Sequence, residues 1–253
     1  METSRTSTVQ AVLLVHGWMT SSHVWGPLSA LLGVHRIVAP DLFGSGKACE
    51  AALGLDAAAL TRRLGLTSLA ADVLAVADAL GLSRFHLVGH SMGGQIAQLL
   101  AARAPSRVQS LALLCPVPLS GMSLPPEAEA LFRAAGGDAV KLGTVLDLAC
   151  KALNERDRAA LVRDALRIAP HVIAAGLDVW MRGEDSALSA ISAPTLVLAT
   201  DDPFLAPAFL QERVVARIAR AELQVMSGPG HYPQVEAPAD TARVLTEFWS
   251  RHT

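Results

Sequence analysis

Phe85-His86-Leu87-Val88-Gly89-His90-Ser91-Met92-Gly93-Gly94-Gln95-Ile96-Ala97-Gln98-Leu99-Leu100 runs from an apolar stretch, through a glycine-flanked serine, into a segment rich in helix formers. Phe85 to Val88 reads as a short buried strand, and Gln95 to Arg103 as a helix that stops at Ala104-Pro105. Between them, Gly89-His90-Ser91-Met92-Gly93 fits G-x-S-x-G. In that motif the serine sits on a sharp strand-to-helix turn, and small flanking residues let neighbouring backbone pass close by. Gly- and Ser-rich turns match the pattern by chance; the strand before and the helix after make Ser91 a candidate nucleophile.

Working outward, short apolar runs bounded by turn residues predict further strands at Ala11 to Val15, Arg36 to Ala39, Ser110 to Leu114, Thr195 to Ala199 and Glu222 to Met226. Their continuous apolar character implies burial on both faces, as in a parallel sheet covered by helices. Helical patterns fall between them at Ser22 to Leu32, Ser68 to Leu80, Ala208 to Ala219 and Ala239 to Ser250. The alternation predicts a doubly wound α/β fold with a mostly parallel sheet of about six strands. From Pro116 to Ala193 no strand is apparent. Helical segments at Pro126 to Ala135, Val140 to Leu153, Glu155 to Ile168 and His171 to Met181 predict a helical cap over the sheet. The expected division is a core of residues 1–115 and 194–253 with a cap subdomain of residues 116–193.

The chain has 253 residues, 51% hydrophobic and 17% charged, so it can bury a sizeable core; with 4% aromatic residues, Leu, Val and Ala fill most of it. A formal net charge of −2 and the lack of a basic stripe give no reason to expect nucleic acid or an anionic membrane as partner. Met1 to Gln10 is polar, without the apolar stretch of a secretory signal, which points to a cytoplasmic protein. Cys49, Cys115 and Cys150 lack metal-ligand spacing and are expected as reduced thiols. No nucleotide fingerprint or metal motif is present, so no cofactor and no metal are expected. The sequence does not set the oligomeric state.

With these elements in place the chain resembles the α/β-hydrolase family over nearly its whole length. Four motifs stand in that family's order: His16-Gly17-Trp18 after the first strand, Pro40-Asp41-Leu42-Phe43-Gly44-Ser45-Gly46 after the second, the Ser91 turn, and Gly230-His231-Tyr232-Pro233-Gln234-Val235-Glu236-Ala237-Pro238 near the end. The family's first two strands have no room before Ala11. The resemblance implies a nucleophile, acid and histidine in that chain order, here Ser91, Asp202 and His231. A protonated serine hydroxyl is a poor nucleophile and needs a base, for which neutral imidazole suits. Of eight histidines, His231 occupies a glycine-flanked loop where the resemblance puts the base. His16 and His90 are read as structural, as is Asp41.

The acid should orient the imidazole and stabilise its charged form. Asp201 and Asp202 both follow the fifth strand; the resemblance, through the family's usual Asp-Pro pairing, points to Asp202, with Asp201 as runner-up. An alternative arrangement in that family puts the acid after the preceding strand, where this chain reads Leu114-Cys115-Pro116-Val117-Pro118, without a carboxylate. By resemblance, the backbone N–H groups of Trp18 and Met92 form the oxyanion hole, Met92 being at a helix N-terminus. Candidate pocket residues are Trp18, Met92, Met122, Phe132, Trp180, Phe204 and Tyr232, with Leu124, Leu131, Leu146, Cys150 and Met181 as further apolar side chains of the cap. The expected activity is hydrolysis of a carboxylic ester, lactone or thioester with an apolar acyl group through an acyl-enzyme, and the expected partner is a small-molecule acyl substrate. Acyl transfer, lyase chemistry by the same triad, and a ligand-binding sensor with slow turnover are the alternatives. Tyr232 departs from the tryptophan that carbon–carbon bond hydrolases of the family tend to carry after the histidine.

Overall fold

The computed structural model describes residues 10–33, 35–185 and 188–252; the polar stretch 1–9 lies outside them. Six strands form one sheet: β1 (Ala11–Val15), β2 (Arg36–Val38), β3 (Phe85–His90), β4 (Val108–Leu114), β5 (Thr195–Thr200) and β6 (Ala221–Met226). Their order is β2-β1-β3-β4-β5-β6, and every neighbouring pair is parallel.

Burial on both faces explains the unbroken apolar strands. Leu13, Val15, Leu87, Leu111, Leu113 and Val197 belong to one core cluster. Their neighbours Val12, Leu14, Val88, Ala112, Leu114, Leu196 and Leu198 belong to the other. Successive side chains of a strand point to opposite faces, so each strand feeds both cores.

The helices are α1 (Gly26–Ser29), α2 (Ala57–Leu64), α3 (Leu66–Ala79), α4 (Met92–Arg103), α5 (Pro126–Arg133), α6 (Ala139–Ala149), α7 (Glu155–Ala165), α8 (Pro170–Arg182), α9 (Pro207–Arg213), α10 (Pro233–Glu236) and α11 (Pro238–Ser250). Leu66, Leu69, Val73 and Ala77 of α3 and Ile96, Leu99 and Leu100 of α4 cover one face. Val244, Leu245, Phe248 and Trp249 of α11, with Trp25 and Leu28, cover the other. Helices α5 to α8 all lie between β4 and β5 in the chain. Asp138 and Asn154 accept hydrogen bonds from the first turns of α6 and α7, satisfying N–H groups that helix geometry leaves open.

Three expectations need correction. Ser22 to Leu32 is not one helix: a 3-10 turn covers Ser22–Trp25 and α1 only Gly26–Ser29, with Pro27 entering where an interior helix position would need its N–H. Ala208 to Ala219 likewise divides into α9 and a 3-10 turn, Val215–Arg217, at the non-helical Val214. Helix α2 falls where no helix is expected, although Asp56, which accepts from Ala59 N, is an N-cap legible in sequence. Among the described residues, no helix is long and apolar enough to cross a membrane.

Candidate active site

A parallel sheet puts the carboxyl ends of all its strands on one edge, where ligands of open α/β folds bind. Trp18 follows β1, Ser91 follows β3, Cys115 follows β4, Asp202 follows β5 and His231 follows β6.

Ser91 joins β3 directly to α4 with φ 55° and ψ −123°, a conformation that costs a residue with a Cβ about 1–3 kcal/mol. Local bonds hold it there: Ser91 N–H donates to Leu114 O at 3.1 Å, while Ser91 O accepts from Gly94 N at 2.8 Å and Val117 N at 3.2 Å. The flanking glycines are required by close packing. A Cβ on Gly93 would strike the carbonyl oxygens of Val15 and His16, and one on Gly89 would strike Gly93 O and Ala97. Gly17 approaches from β1, with space for a Cβ closed by Ser91 Cβ at 2.9 Å.

Asp202 Oδ2 lies 2.6 Å from His231 Nδ1, and Oδ1 accepts from Phe204 N at 2.8 Å and Leu205 N at 3.3 Å. The carboxylate is buried. With Nδ1–H donated to Asp202, the neutral His231 ring keeps its lone pair on Nε2. Asp201 is exposed and turns away to accept from Gly228 N at 2.7 Å, so the structure brings Asp202 alone of the pair to His231. Ser91 and His231 line the same cavity. No hydrogen bond joins their side chains among the described residues, as is common before substrate binds.

His90 is buried and donates from Nε2 to His231 O at 2.8 Å. Burial, then the neighbouring His231, pushes its pKa well down, so it serves as a neutral anchor for the histidine loop. His16 is neutral too: its Nδ1–H faces Gly17 O at 2.9 Å and its Nε2 accepts from Leu42 N at 3.0 Å. Burial lowers its pKa against the opposing pull of Gly17 O and Asp41. Asp41 accepts from Ser22 N and Lys47 N, each at 2.8 Å. Burial alone would raise its pKa, but these hydrogen bonds prevail and hold it below the ordinary carboxylate value. Both residues brace the loops beside Trp18.

Trp18 donates its indole N–H to Ile173 O of α8 at 2.8 Å. Its ring stacks on Phe132 at 5.6 Å between centroids and meets Trp180 edge-on at 6.1 Å. The backbone N–H groups of Trp18 and Met92 have no acceptor among the described residues. Two such orphan donors beside the serine are what a developing oxyanion requires.

The cavity is lined by Trp18, Met19, Ser91, Val117, Met122, Leu124, Phe132, Val145, Leu146, Ala149, Trp180, Phe204, Leu205, His231 and Tyr232. Of the candidate pocket residues, the side chains of Trp18, Met122, Phe132, Trp180, Phe204 and Tyr232 share this cavity. The Met92 side chain does not: it lines a separate small cavity with Leu42, Phe43, Leu69 and Val172. Leu131, Cys150 and Met181 are not part of the lining. Met19, Val117, Val145, Ala149 and Leu205 are lining residues that sequence reasoning missed. Met19 follows Trp18, and Leu205 follows Phe204, so adjacency alone was an available signal.

Cys115, Asp202 and His231 place potential ligand atoms within 4.8 Å of one another. They make a poor metal site. Asp202 already holds His231 Nδ1–H, and burial, followed by the Asp202 charge, pushes the Cys115 thiol far up, keeping it protonated.

The profile of a family described as the alpha/beta hydrolase family matches residues 12–244. The "Putative carbamate hydrolase RutD" of Variovorax paradoxus is 31% identical over 96% of this chain and 92% of its own length. An esterase from Exiguobacterium antarcticum superposes with a TM-score of 0.83 at 22% identity, over 96% of this chain and 92% of that one, a likeness of fold. Est816, described as an N-acyl homoserine lactone degrading enzyme, superposes with a TM-score of 0.76 at 28% identity, over 95% and 93% of the two chains.

Proposed function

Since the chain belongs to the alpha/beta hydrolase family and is an enzyme acting on ester-type bonds, we propose that it is a serine hydrolase of carboxylic esters, lactones or thioesters with an apolar acyl group. The observation that carries this reading is the 2.6 Å contact of buried Asp202 to His231, which shares an apolar cavity with Ser91.

In the proposed reaction Ser91 Oγ attacks the acyl carbon as its proton passes to His231 Nε2. Asp202 keeps the ring oriented and stabilises the imidazolium. The carbonyl oxygen becomes an oxyanion facing the N–H groups of Trp18 and Met92; losing one such donor commonly costs about 3 kcal/mol. Collapse breaks the bond to the leaving alcohol or thiol, which takes the proton from His231. Water then attacks the acyl-enzyme, giving its proton to the same nitrogen, and as the Ser91 ester bond breaks that proton passes to Ser91 Oγ and the carboxylic acid leaves.

The side chains of α5, α6 and α8 that line the cavity form, in this reading, a cap that selects the acyl group. Phe132, Trp180, Leu146 and Phe204 favour an apolar group over a small polar one such as the carbamate named for the RutD relative. A panel of p-nitrophenyl esters of graded chain length, with lactones and thioesters, on wild type and Ser91→Ala tests it. Stoichiometric labelling of Ser91 by a fluorophosphonate is expected; full ester hydrolysis by Ser91→Ala would falsify the reading.

A further inference from the structure

Glu236 closes α10, three residues after Pro233, yet its carboxylate folds back over the start of that helix. Oε1 accepts from Tyr232 N at 2.9 Å, and Oε2 accepts from Gly230 N at 2.9 Å. One carboxylate thus grips the backbone on either side of His231. The same Oε2 also accepts from Lys151 N and Ala152 N, each at 2.7 Å, in the turn that follows α6. Four backbone N–H groups from two segments far apart in sequence converge on this single side chain.

The remaining contacts run between the same two segments. His231 N–H donates to Ala149 O at 2.9 Å. At Gly230 the approach is so close that a Cβ would meet Ala149 O at 2.5 Å and Lys151 N at 2.8 Å. Ala149 also lines the cavity with Ser91. The loop that carries His231 is therefore bonded to the end of a cavity-lining helix, and Glu236 is the group common to both.

We propose that Glu236 is a positioning residue: it sets His231 relative to Ser91 and ties that placement to the α6 turn, so that base and cavity wall move as one body. The proposal rests on the serine-hydrolase reading above. It does not require Glu236 to touch substrate. It follows instead from geometry: misplacing a catalytic group by about 1 Å can cost about 10²-fold in rate, and no other described side chain binds both flanks of His231.

The test compares Glu236→Gln and Glu236→Ala with wild type, each normalised to active sites titrated by fluorophosphonate. Val73→Ala in α3, a core truncation on the face of the sheet away from α10, serves as the stability control. Glu236→Gln keeps one acceptor oxygen but turns an N–H₂ toward a backbone donor; kcat is expected to fall about tenfold, and about 100-fold in Glu236→Ala, with KM within about twofold. The rate of Ser91 phosphonylation should fall by the same factor, since it needs the same base. Val73→Ala should lose melting temperature without losing kcat per titrated site. Unchanged kcat per site in Glu236→Gln overturns the proposal. Should the variants not fold, amide exchange on wild type decides: slow, concerted exchange of Gly230, Tyr232, Lys151 and Ala152 supports the clamp, and fast independent exchange overturns it. Absence of Ser91 labelling in wild type would instead strike the serine-hydrolase reading itself.

Discussion

His231 and Asp202 meet through Nδ1 and Oδ2 at 2.6 Å, with the carboxylate fully enclosed and its second oxygen held by the N–H groups of Phe204 and Leu205. The pair is locked from the carboxylate side. The imidazole can therefore rotate little, and its tautomer is dictated by an acceptor that has no other proton to take.

That geometry separates the two adjacent aspartates in position: Asp202 meets His231, and Asp201 meets Gly228 N. Asp202→Asn would present an amide N–H₂ or a neutral oxygen to Nδ1 and favour the wrong tautomer, so kcat is expected to fall about 10³–10⁴-fold. Asp201→Asn, which loses only an exposed contact to Gly228 N, should retain kcat within about twofold. Steady-state kinetics on both variants checks this. Equal losses would refute the assignment.

The strained backbone at Ser91 yields a stability prediction. At φ 55° a Cβ is disfavoured, so Ser91→Gly should unfold at higher denaturant than Ser91→Ala, by about 1 kcal/mol. Both lack the hydroxyl and should be inactive toward esters. Urea melts monitored by tryptophan fluorescence give the difference; identical midpoints would show that the turn is unstrained.

Phe132 stacks on Trp18 at 5.6 Å and meets Phe204 edge-on at 5.8 Å, standing between α5 and the floor of the cavity. Phe132→Ala opens space there and removes a buried aromatic, at a cost of about 3 kcal/mol in stability. Among p-nitrophenyl esters, the best chain length should increase by several carbons, read as the ratio of kcat/KM for long and short acyl groups. A preserved chain-length profile would place the acyl group elsewhere.

The four inner strands were legible as local apolar runs, while the edge strands β2 and β6 are partly exposed and β6 carries Glu222 and Gln224; the Ser91 turn was legible because its glycines and flanking elements are contiguous. Asp202 was legible from its Asp-Pro neighbour and its strand end. Other features depend on contacts between segments remote in sequence. The Met92 side chain lies behind the cavity because Gly17 and Val172, far from it in the chain, enclose it. Glu236 stood within a motif that sequence could read, but its role depends on Lys151 and Ala152, which no local pattern pairs with it. The interrupted helix at Ser22 to Leu32 shows local pattern misleading in the opposite sense: apolar spacing favoured a helix, whereas Pro27 permits only a short one.

At the amino end of β3 a buried histidine yields a prediction for stability against pH. His86 is buried, with Nδ1 2.7 Å from Ser110 Oγ and Nε2 2.9 Å from Gln10 Oε1. Burial, assisted by His35, Arg84 and His252, lowers its pKa from 6.5 to about 4. The folded state therefore binds this proton more weakly than the unfolded chain. Stability contributed by neutral His86 is complete above pH 6.5, declines as the pH falls through that value, and is gone near pH 4. The loss amounts to about 3 kcal/mol at most. Urea unfolding at pH 7, 5.5 and 4 should show this decline, and His86→Gln, which cannot titrate, should flatten it. An equally steep decline in His86→Gln would assign the acid sensitivity to other groups.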